Sequence, residues 1–286
     1  MHIILGASGH IGSALAKRLL KRQEPVTVVL HDAKKAPEWQ QRGAQTALAD
    51  VYDIEALRRI FRQGQRLYLL NPPANPAADA AAGERRTVRS ILAALTGSGL
   101  HKIVAASTYG AQPGNQLGDL GTLYELEQGL AAQPIPFTII RGAYYLSNWD
   151  AALKTAREEG KVYTFYPADF KLPMVAPADI ASVAARLLTE PIDKTGLHYI
   201  EGPEYYSAAD VAAAFAEALH QPITAVETPR DQWLFALKKM GFSEKSAQSF
   251  ANMTAATLAA PQPIAQSPER GPTTLTTYIQ QLVQKA

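Results

Sequence analysis

Three glycines follow the first apolar run of the chain at intervals of three residues: Gly6, Gly9 and Gly12. Between a strand and a helix, the first glycine permits a sharp turn, the second lets a pyrophosphate approach the backbone, and the third lets the helix pack closely. The helix N-terminus also offers free N–H groups and a partial positive charge to phosphates. The spacing therefore predicts a dinucleotide site, and the alternative is a plain tight turn. Within this turn, Ser8, His10 and Ile11 are further candidates for cofactor contact.

The residues after the second predicted strand bear on which nicotinamide cofactor would bind. His31 directly follows that strand, and Asp32, Lys34 and Lys35 come next. An acidic residue here would bind the ribose hydroxyls of NAD, whereas a cation would bind the 2′-phosphate of NADP. Asp32 has the spacing of an NAD ligand but lies one step beyond the strand, so the two lysines favour NADP(H). The lysines could equally belong to a solvated loop.

The residue types give little support for thiol, metal or serine-nucleophile chemistry. The chain has no Cys, which excludes a disulfide, a thiolate nucleophile and a Cys-ligated metal. No pair among the six His has the spacing of metal ligands, and Ser8 is not in a nucleophile elbow, so we expect no metal and no serine nucleophile. Asp50, after the third predicted strand, could contact the adenine or could cap the helix that begins near Asp53.

Composition excludes several classes of partner. The 286 residues are 47% hydrophobic and 19% charged, which is typical of a globular protein rather than a disordered one. Lys plus Arg is 28 and Asp plus Glu is 26, a balance that does not favour nucleic-acid binding. No signal peptide and no apolar stretch long enough for a bilayer is visible. We therefore expect a soluble cytoplasmic protein with neither a nucleic-acid nor a membrane partner.

The elements that must position these residues alternate between strand and helix. Buried apolar runs separated by amphipathic helices indicate a parallel sheet covered on both faces, an α/β Rossmann-like doubly wound fold. Predicted strands cover residues 2–5, 26–30, 46–49, 67–70, 102–106 and 137–140; predicted helices cover 10–22, 54–61, 79–98 and 120–132. We assign residues 1–145 to the dinucleotide-binding domain, with 173–200 returning to it, and 146–286 to a smaller, mostly helical substrate lobe. In the second half of the chain, helices are predicted over 148–159, 177–189, 208–220, 230–240, 243–258 and 273–283, with short strands over 198–200 and 225–228.

Several stretches, in matching order and spacing, resemble the NmrA-like group of atypical short-chain dehydrogenases. Within the group the chain is most similar to bacterial NAD(P)H-dependent quinone, triphenylmethane-dye and azo-dye reductases. The group also contains cofactor-sensing regulators without turnover. The matching stretches are 6–12, 49–50 with 53, 70–72, 107–111, 141–148, 174–175 and 179–181.

The resemblance implies a cofactor lying over the carboxyl ends of the strands, as the general rule for open α/β sheets requires. Tyr145 and Asn148 would then face the substrate cleft. The cofactor itself would be lined by Asn71 and Pro72 after the fourth strand, by Ser107 and Thr108 near the nicotinamide, and by Gly142, Ala143 and Tyr144 after the sixth strand.

The proton relay of ordinary short-chain dehydrogenases is missing. That relay is a Tyr with a Lys four residues later, and none of the 12 Tyr has a Lys at that place. Tyr124 comes nearest, with Gln128 in the Lys position. Relatives often carry Lys or His two residues before a Glu-x-Glu pair, whereas Leu123 occupies that position here. The departure disfavours carbonyl reduction and disfavours a sugar epimerase, but it leaves quinone or azo reduction and cofactor sensing open.

Aromatic residues concentrate where the substrate cleft is expected. They predict a stacking pocket for flat aromatic substrates, and the alternative is core packing of the smaller lobe. We therefore predict an NAD(P)H-dependent reductase of a quinone or other flat aromatic acceptor, with a homodimer as one possible assembly. The alternative is a non-catalytic NADP-binding redox sensor that contacts a protein partner. The cluster comprises Tyr109, Tyr144, Tyr145, Trp149, Tyr163, Phe165 and Tyr166, and the substrate-cleft candidates among them are Tyr109, Tyr144, Tyr145 and Trp149, together with Asn148.

Overall fold

The computed structural model describes residues 1–260 and 265–285. In the first half, strands and helices alternate as the apolar patterning predicts. The elements in chain order are β1 (His2–Leu5), α1 (His10–Lys21), β2 (Val26–Leu30), α2 (Ala36–Gln41), β3 (Gln45–Leu48), α3 (Ile54–Phe61), β4 (Arg66–Leu69), α4 (Ala80–Leu95), β5 (Lys102–Thr108), α5 (Asp119–Ala131) and β6 (Phe137–Gly142).

The second half contains shorter strands and more helix. The elements here are β7 (Tyr144–Tyr145), α6 (Ala152–Glu159), β8 (Lys161–Thr164), β9 (Leu172–Val175), α7 (Pro177–Thr189), β10 (Gly196–Glu201), β11 (Tyr205–Tyr206), α8 (Ala208–Leu219), β12 (Thr224–Glu227), α9 (Trp233–Lys239), α10 (Glu244–Ala259), β13 (Glu269–Arg270) and α11 (Leu275–Lys285).

A parallel sheet of eight strands forms the centre of the molecule, in the order β13-β10-β6-β5-β4-β1-β2-β3. Every pairing in it is parallel. Strand β2 reads Val-Thr-Val-Val-Leu and is buried throughout, because helices cover both faces of the sheet. One apolar cluster lies under α1 and α7, and a second lies under α3, α4 and α5.

The remaining elements form a smaller lobe beside the carboxyl ends of the strands. A three-stranded sheet, β11-β9-β7, and a two-stranded sheet, β12-β8, pack with α6, α8 and α11 around a third apolar cluster. Helices α9 and α10 pack together around Trp233 and Leu237. The predicted α/β architecture, a Rossmann-like sheet with a smaller and mostly helical lobe, is confirmed.

The structure departs from the sequence prediction mainly in the smaller lobe. The helix predicted over 148–159 is instead a 3-10 turn at Leu146–Trp149 followed by α6. Strands β7, β8, β9 and β11 were not predicted. Strands β7 and β11 have two residues each, too few for a hydrophobic period. Strand β8 begins at Lys161 and β9 contains Pro173, and both residue types disfavour a strand prediction.

Among the helices of residues 1–260 and 265–285, none combines the length and the apolar character that crossing a membrane requires.

Candidate dinucleotide and substrate site

The glycine turn is held by contacts of its own backbone. Gly6 has φ +83°, a conformation that a side chain disfavours. Its carbonyl accepts a 3.0 Å hydrogen bond from the N–H of Gly9. A Cβ atom on Gly12 would overlap that same carbonyl, whereas a Cβ on Gly9 would meet only the Gly6 oxygen at 3.5 Å. Gly6 and Gly12 are therefore required by the fold, while the space beside Gly9 stays open for a ligand.

Helix α1 begins at this turn with an N-terminus suited to an anion. Gly9 is the N-cap, and within the described residues no side chain caps α1 and no acidic residue lies in its first turn. Uncapped N–H groups together with the helix dipole favour a phosphate. His10 is exposed, and its Nε2 lies 3.5 Å from Oδ2 of Asp150 in the smaller lobe. The turn thus has both the space and the polarity that a pyrophosphate needs.

A cavity of about 410 Å³ opens at the carboxyl ends of β1 to β4. Its floor is apolar, formed by residues such as Leu5, Val29 and Leu30, and its rim carries polar groups. The Arg86 guanidinium lies 4.2 Å from the centre of the Tyr52 ring at this rim. The predicted cofactor residues that line the cavity are Gly6, Ser8, His31, Asp50 and Pro72.

The carboxylates near the cavity accept hydrogen bonds from backbone N–H groups close to them in sequence. Oδ1 of Asp32 accepts a 2.9 Å hydrogen bond from the N–H of Lys34, and Oδ1 of Asp50 accepts one of 2.8 Å from the N–H of Tyr52. Asp53, not Asp50, caps α3 through the N–H of Ala56. Lys34 and Lys35 are exposed on a 3-10 turn after β2 and do not line the cavity.

The ends of the next strands carry one group that lacks a partner. Oδ1 of Asn71, just after β4, is buried, and within the described part of the chain it has no hydrogen-bond partner. A buried polar atom of this kind is ordinarily satisfied by a ligand or water. Thr108 and Gly142 pair where β5 and β6 end, and the N–H of Ala143 donates to the carbonyl of Ile200 at 3.0 Å.

Ser107 is turned into a buried polar network. Its hydroxyl donates to Oε1 of Glu127 at 2.5 Å. Arg141 contacts both oxygens of the same carboxylate, at 2.9 Å and 2.6 Å, and reaches the Tyr199 hydroxyl at 3.2 Å. The Ser107 side chain therefore joins β5, β6 and α5.

Tyr109 occupies a place unlike the one expected from the sequence. It is only 7% exposed, and its hydroxyl donates to Oε1 of the fully buried Glu201 at 3.1 Å. Its ring packs edge-on against Tyr199 at 5.2 Å. Since Tyr205 and Arg270 also contact Glu201, Tyr109 belongs to a network around Glu201 at the β10–β13 edge of the sheet, and we do not assign it to the cleft.

Tyr144 is the centre of an aromatic wall at the lobe junction. Its ring centre lies 6.0 Å from that of Trp149 and 6.0 Å from that of Tyr166, and Tyr166 stacks on Phe170. Burial raises the pKa of the hydroxyls of Tyr144 and Tyr145 above the ordinary value, so both stay protonated.

The other aromatic candidates are divided between this wall and a second cluster. Asn148 is exposed, close to Tyr144. Tyr163 is exposed as well, and its hydroxyl donates to Glu159 at 2.7 Å. Phe165 packs instead on Trp233 and Phe250 between α9 and α10.

Helix α10 and its N-cap contact the loops that follow β4 and β5, which the sequence did not indicate. The hydroxyls of Ser243 and Ser246 donate to the carbonyl of Ala78, at 2.5 Å and 2.7 Å. The Asn252 amide donates to the carbonyl of Gln116 at 3.1 Å. The loops after both strands are thus tied to one helix of the smaller lobe.

A buried carboxyl, Glu84, was also missed. It lies on α4 and is 7% exposed. The signal was present, because Glu84 shares the inward helical face of Val88, Ile91 and Leu95.

Comparisons with known proteins agree with this geometry. A model of the NmrA-like family matches residues 2–277. The chain is 26% identical over 249 residues to an NAD(P)H azoreductase of Xenophilus azovorans, which covers 87% of this chain and 84% of the relative. It is 24% identical over 255 residues to quinone oxidoreductase 2 of Escherichia coli strain K12, at 88% and 86% coverage.

A solved structure shares the fold over almost the whole chain. The Citrobacter sp. triphenylmethane reductase complexed with NADP(H) superposes with a TM-score of 0.79 at 17% identity, and covers 99% of this chain and 100% of that one. The resemblance noted from residues alone is therefore confirmed, and the chain belongs to the NmrA-like family.

Proposed function

We propose that this protein is an NAD(P)H-dependent reductase that transfers a hydride to a quinone or another flat aromatic acceptor. The observation that carries the proposal is that two features directly follow strands β1 and β6 of the same parallel sheet, at their carboxyl ends. One is the open phosphate turn at Gly9, and the other is the aromatic wall around Tyr144. Curated relatives of similar length, named as an azoreductase and a quinone oxidoreductase, support the same reaction class.

The described residues fit a dinucleotide. The uncapped start of α1 would hold the pyrophosphate, and the cavity with His31, Asp50 and Pro72 would hold the adenosine. The unpartnered Oδ1 of Asn71 would then gain a partner from the cofactor. When bound, the reduced nicotinamide supplies the hydride.

NADPH is the preferred cofactor in this proposal. The carboxylate of Asp32, the candidate NAD ligand, already accepts a hydrogen bond from its own turn. His31 lines the cavity, and the cations Lys34 and Lys35 are exposed on the 3-10 turn that follows it. A phosphate would therefore meet positive charge rather than a free carboxylate.

This chain's own residues mainly bind and orient. Tyr144 is partly exposed and offers a flat ring against which an aromatic acceptor can stack, while the buried Trp149 packs against it from the core of the smaller lobe. Leu123 packs among apolar side chains and can neither donate nor accept a proton. Relatives often carry Lys or His at this position. Orientation of the hydride donor against the acceptor is then the main contribution to the rate enhancement.

The test is NADPH consumption with a panel of quinones and azo dyes, together with cofactor affinity measured by calorimetry. Turnover with at least one flat acceptor is expected. Tight NADPH binding without turnover of any acceptor would contradict the proposal and support the sensor alternative. Absence of cofactor binding would contradict both.

A further inference from the structure

Helix α4 begins against two of the loops that form the candidate cofactor cavity. A Cβ atom on Gly83, in its first turn, would lie 2.9 Å from Cβ of Ala74 and 3.9 Å from the hydroxyl oxygen of Tyr52. Oε1 of the buried Glu84 accepts a 3.2 Å hydrogen bond from the N–H of Ala74. Ala74 follows β4 and Tyr52 follows β3, and both line the cavity. The start of α4 therefore brings these two parts of the cavity lining together.

Tyr52 is a large aromatic residue that remains partly exposed at this cavity. Its N–H donates to Oδ1 of Asp50 at 2.8 Å, and its hydroxyl lies near Gly83, so the side chain extends from the turn after β3 to the start of α4. The side chain is 37% exposed. Because burial of an aromatic ring is favourable, a ring in this position offers a stacking surface to a planar ligand.

Arg86, one turn further along α4, holds the Tyr52 ring. Its guanidinium carbon lies 4.2 Å from the ring centre, a distance at which a cation and an aromatic face attract each other. Arg86 is exposed, and it does not line the cavity as Tyr52 does. The guanidinium therefore covers the ring from outside the cavity, which leaves the opposite face to a ligand.

The shape and polarity of the cavity suit a base better than a phosphate. Its volume of about 410 Å³ is within the usual range for small-molecule sites. Its floor is formed by apolar residues, among them Leu5, Val29 and Leu30. A phosphate would lose hydration on such a floor without gaining hydrogen bonds, whereas a purine ring would not.

We propose that Tyr52 stacks on the adenine of the cofactor, and that Arg86 is a positioning residue that holds the Tyr52 ring. The inference rests on the proposed function and deepens it, because it assigns recognition of the base to a pair of residues outside the glycine turn and outside the loop after β2. NADPH and NADH carry the same base. The pair therefore contributes to the affinity for both cofactors and not to the choice between them.

Tyr52→Ala removes the ring from a partly exposed position and should leave the fold intact, which circular dichroism checks. In calorimetry, the affinities for NADPH, NADH and adenosine 2′,5′-bisphosphate should all fall by the same factor, about tenfold, through loss of stacking on the base. Tyr52→Phe keeps the ring and should recover most of that loss. Unchanged affinities in Tyr52→Ala, or an equal loss in Tyr52→Phe, would overturn the inference.

Tyr163→Ala is the matched control, since Tyr163 is 45% exposed and lies on β8 in the smaller lobe. It should leave the affinity for all three ligands unchanged. Reduced nicotinamide mononucleotide lacks the adenosine, so its kcat/KM in quinone reduction should be equal in the parent and in Tyr52→Ala. A tenfold fall with this mononucleotide would show that Tyr52 acts elsewhere than on the base, and would overturn the stacking.

Arg86→Met removes the cation and keeps an unbranched side chain. The affinities for NADPH and NADH should both fall about threefold, because a cation over an exposed ring contributes modestly. Added to Tyr52→Ala, the same change should have no further effect, because Arg86 acts through the ring. Arg89→Met makes the same change of charge at an exposed position of α4 and should alter neither affinity. A loss for NADPH alone, or losses that add in the double variant, would overturn the positioning role.

The binding measurements decide this inference separately from turnover. A parent that binds NADPH and reduces no acceptor would contradict the proposed reductase, while the affinities of Tyr52→Ala would still confirm or overturn the stacking. A parent that binds neither NADPH nor adenosine 2′,5′-bisphosphate would overturn both.

Discussion

The two ends of the candidate site are built in different ways. At the cofactor end, the key groups are consecutive in sequence and act through the backbone, from Gly6 to Gly12. At the acceptor end, the wall joins residues distant in sequence, as when Tyr144 meets Tyr166 and α10 holds the loops after β4 and β5. The first end follows from local geometry, whereas the second exists only once the smaller lobe has packed.

The largest loss of cofactor affinity should come from Gly9→Val, which blocks the candidate pyrophosphate position without disturbing the fold of the turn. A side chain at Gly9 meets only one atom of the protein at ordinary contact distance, but would occupy the place of the pyrophosphate. NADPH affinity should fall by about a thousandfold or more, equivalent to about 4 kcal/mol. Calorimetry measures the affinity, and circular dichroism checks the fold.

Gly12→Val is the contrasting variant, because its Cβ would overlap the carbonyl of Gly6. It should fail to fold stably, while Gly9→Val folds. Retained micromolar NADPH affinity in Gly9→Val would remove the turn from the cofactor site.

Tyr144→Ala should have the next largest effect, now at the acceptor end. Losing the stacking surface should lower kcat/KM for the acceptor about a hundredfold through lost orientation. NADPH affinity should change little if the two ends are separable. Stopped-flow and steady-state kinetics with one quinone measure the effect.

Truncating a buried ring also destabilises the lobe, so a matched control is needed. Leu153→Ala removes an aliphatic side chain of the same apolar cluster without removing a ring of the wall, and should lose stability while keeping kcat within a few-fold. Equal losses of activity in Leu153→Ala and Tyr144→Ala would mean that the wall is only packing.

Lys34→Ala combined with Lys35→Ala probes cofactor choice. If either lysine meets the 2′-phosphate, NADPH affinity should fall about tenfold or more, since a charge-assisted contact is worth about 1.5–3 kcal/mol, and NADH affinity should be unchanged. Lys17→Ala with Lys21→Ala makes the same change in net charge on exposed positions of α1. A similar loss in both double variants, or an equal loss for NADH, would show that the lysines act only as surface charge.

How far the sequence predicts the molecule follows the same division. Short-range sequence patterns predict the sheet, its order of elements and the glycine turn, and the structure confirms the fold. The side-chain contacts around the cleft are harder to predict from the sequence. Tyr109 is near the end of β5 as expected, yet its hydroxyl reaches Glu201, 92 residues later. The serines that attach α10 to the loop after β4 are separated from it by 165 and 168 residues. Contacts of this range depend on how the lobe docks, which no local periodicity encodes.

The smallest effect on the rate should come from Tyr124→Phe, which tests whether Tyr124 acts as a general acid although no Lys follows it at the fourth residue. Tyr124 is half-buried on α5, four residues before Gln128, and it follows Leu123, which is packed in the apolar cluster. Because Gln128 stands where the ordinary relay has a Lys, α5 does not supply the cationic partner that such a tyrosine needs. Removing it should change quinone reduction by less than about threefold, well short of the roughly 10²–10⁴ typical of a lost general acid. Steady-state rates across pH, compared with those of the parent, measure this directly. A drop of the larger size, with an inflection lost from the pH profile, would place the proton source on α5 at Tyr124. The acceptor end would then follow the ordinary dehydrogenase pattern, with a partner for Tyr124 supplied from outside its own helix.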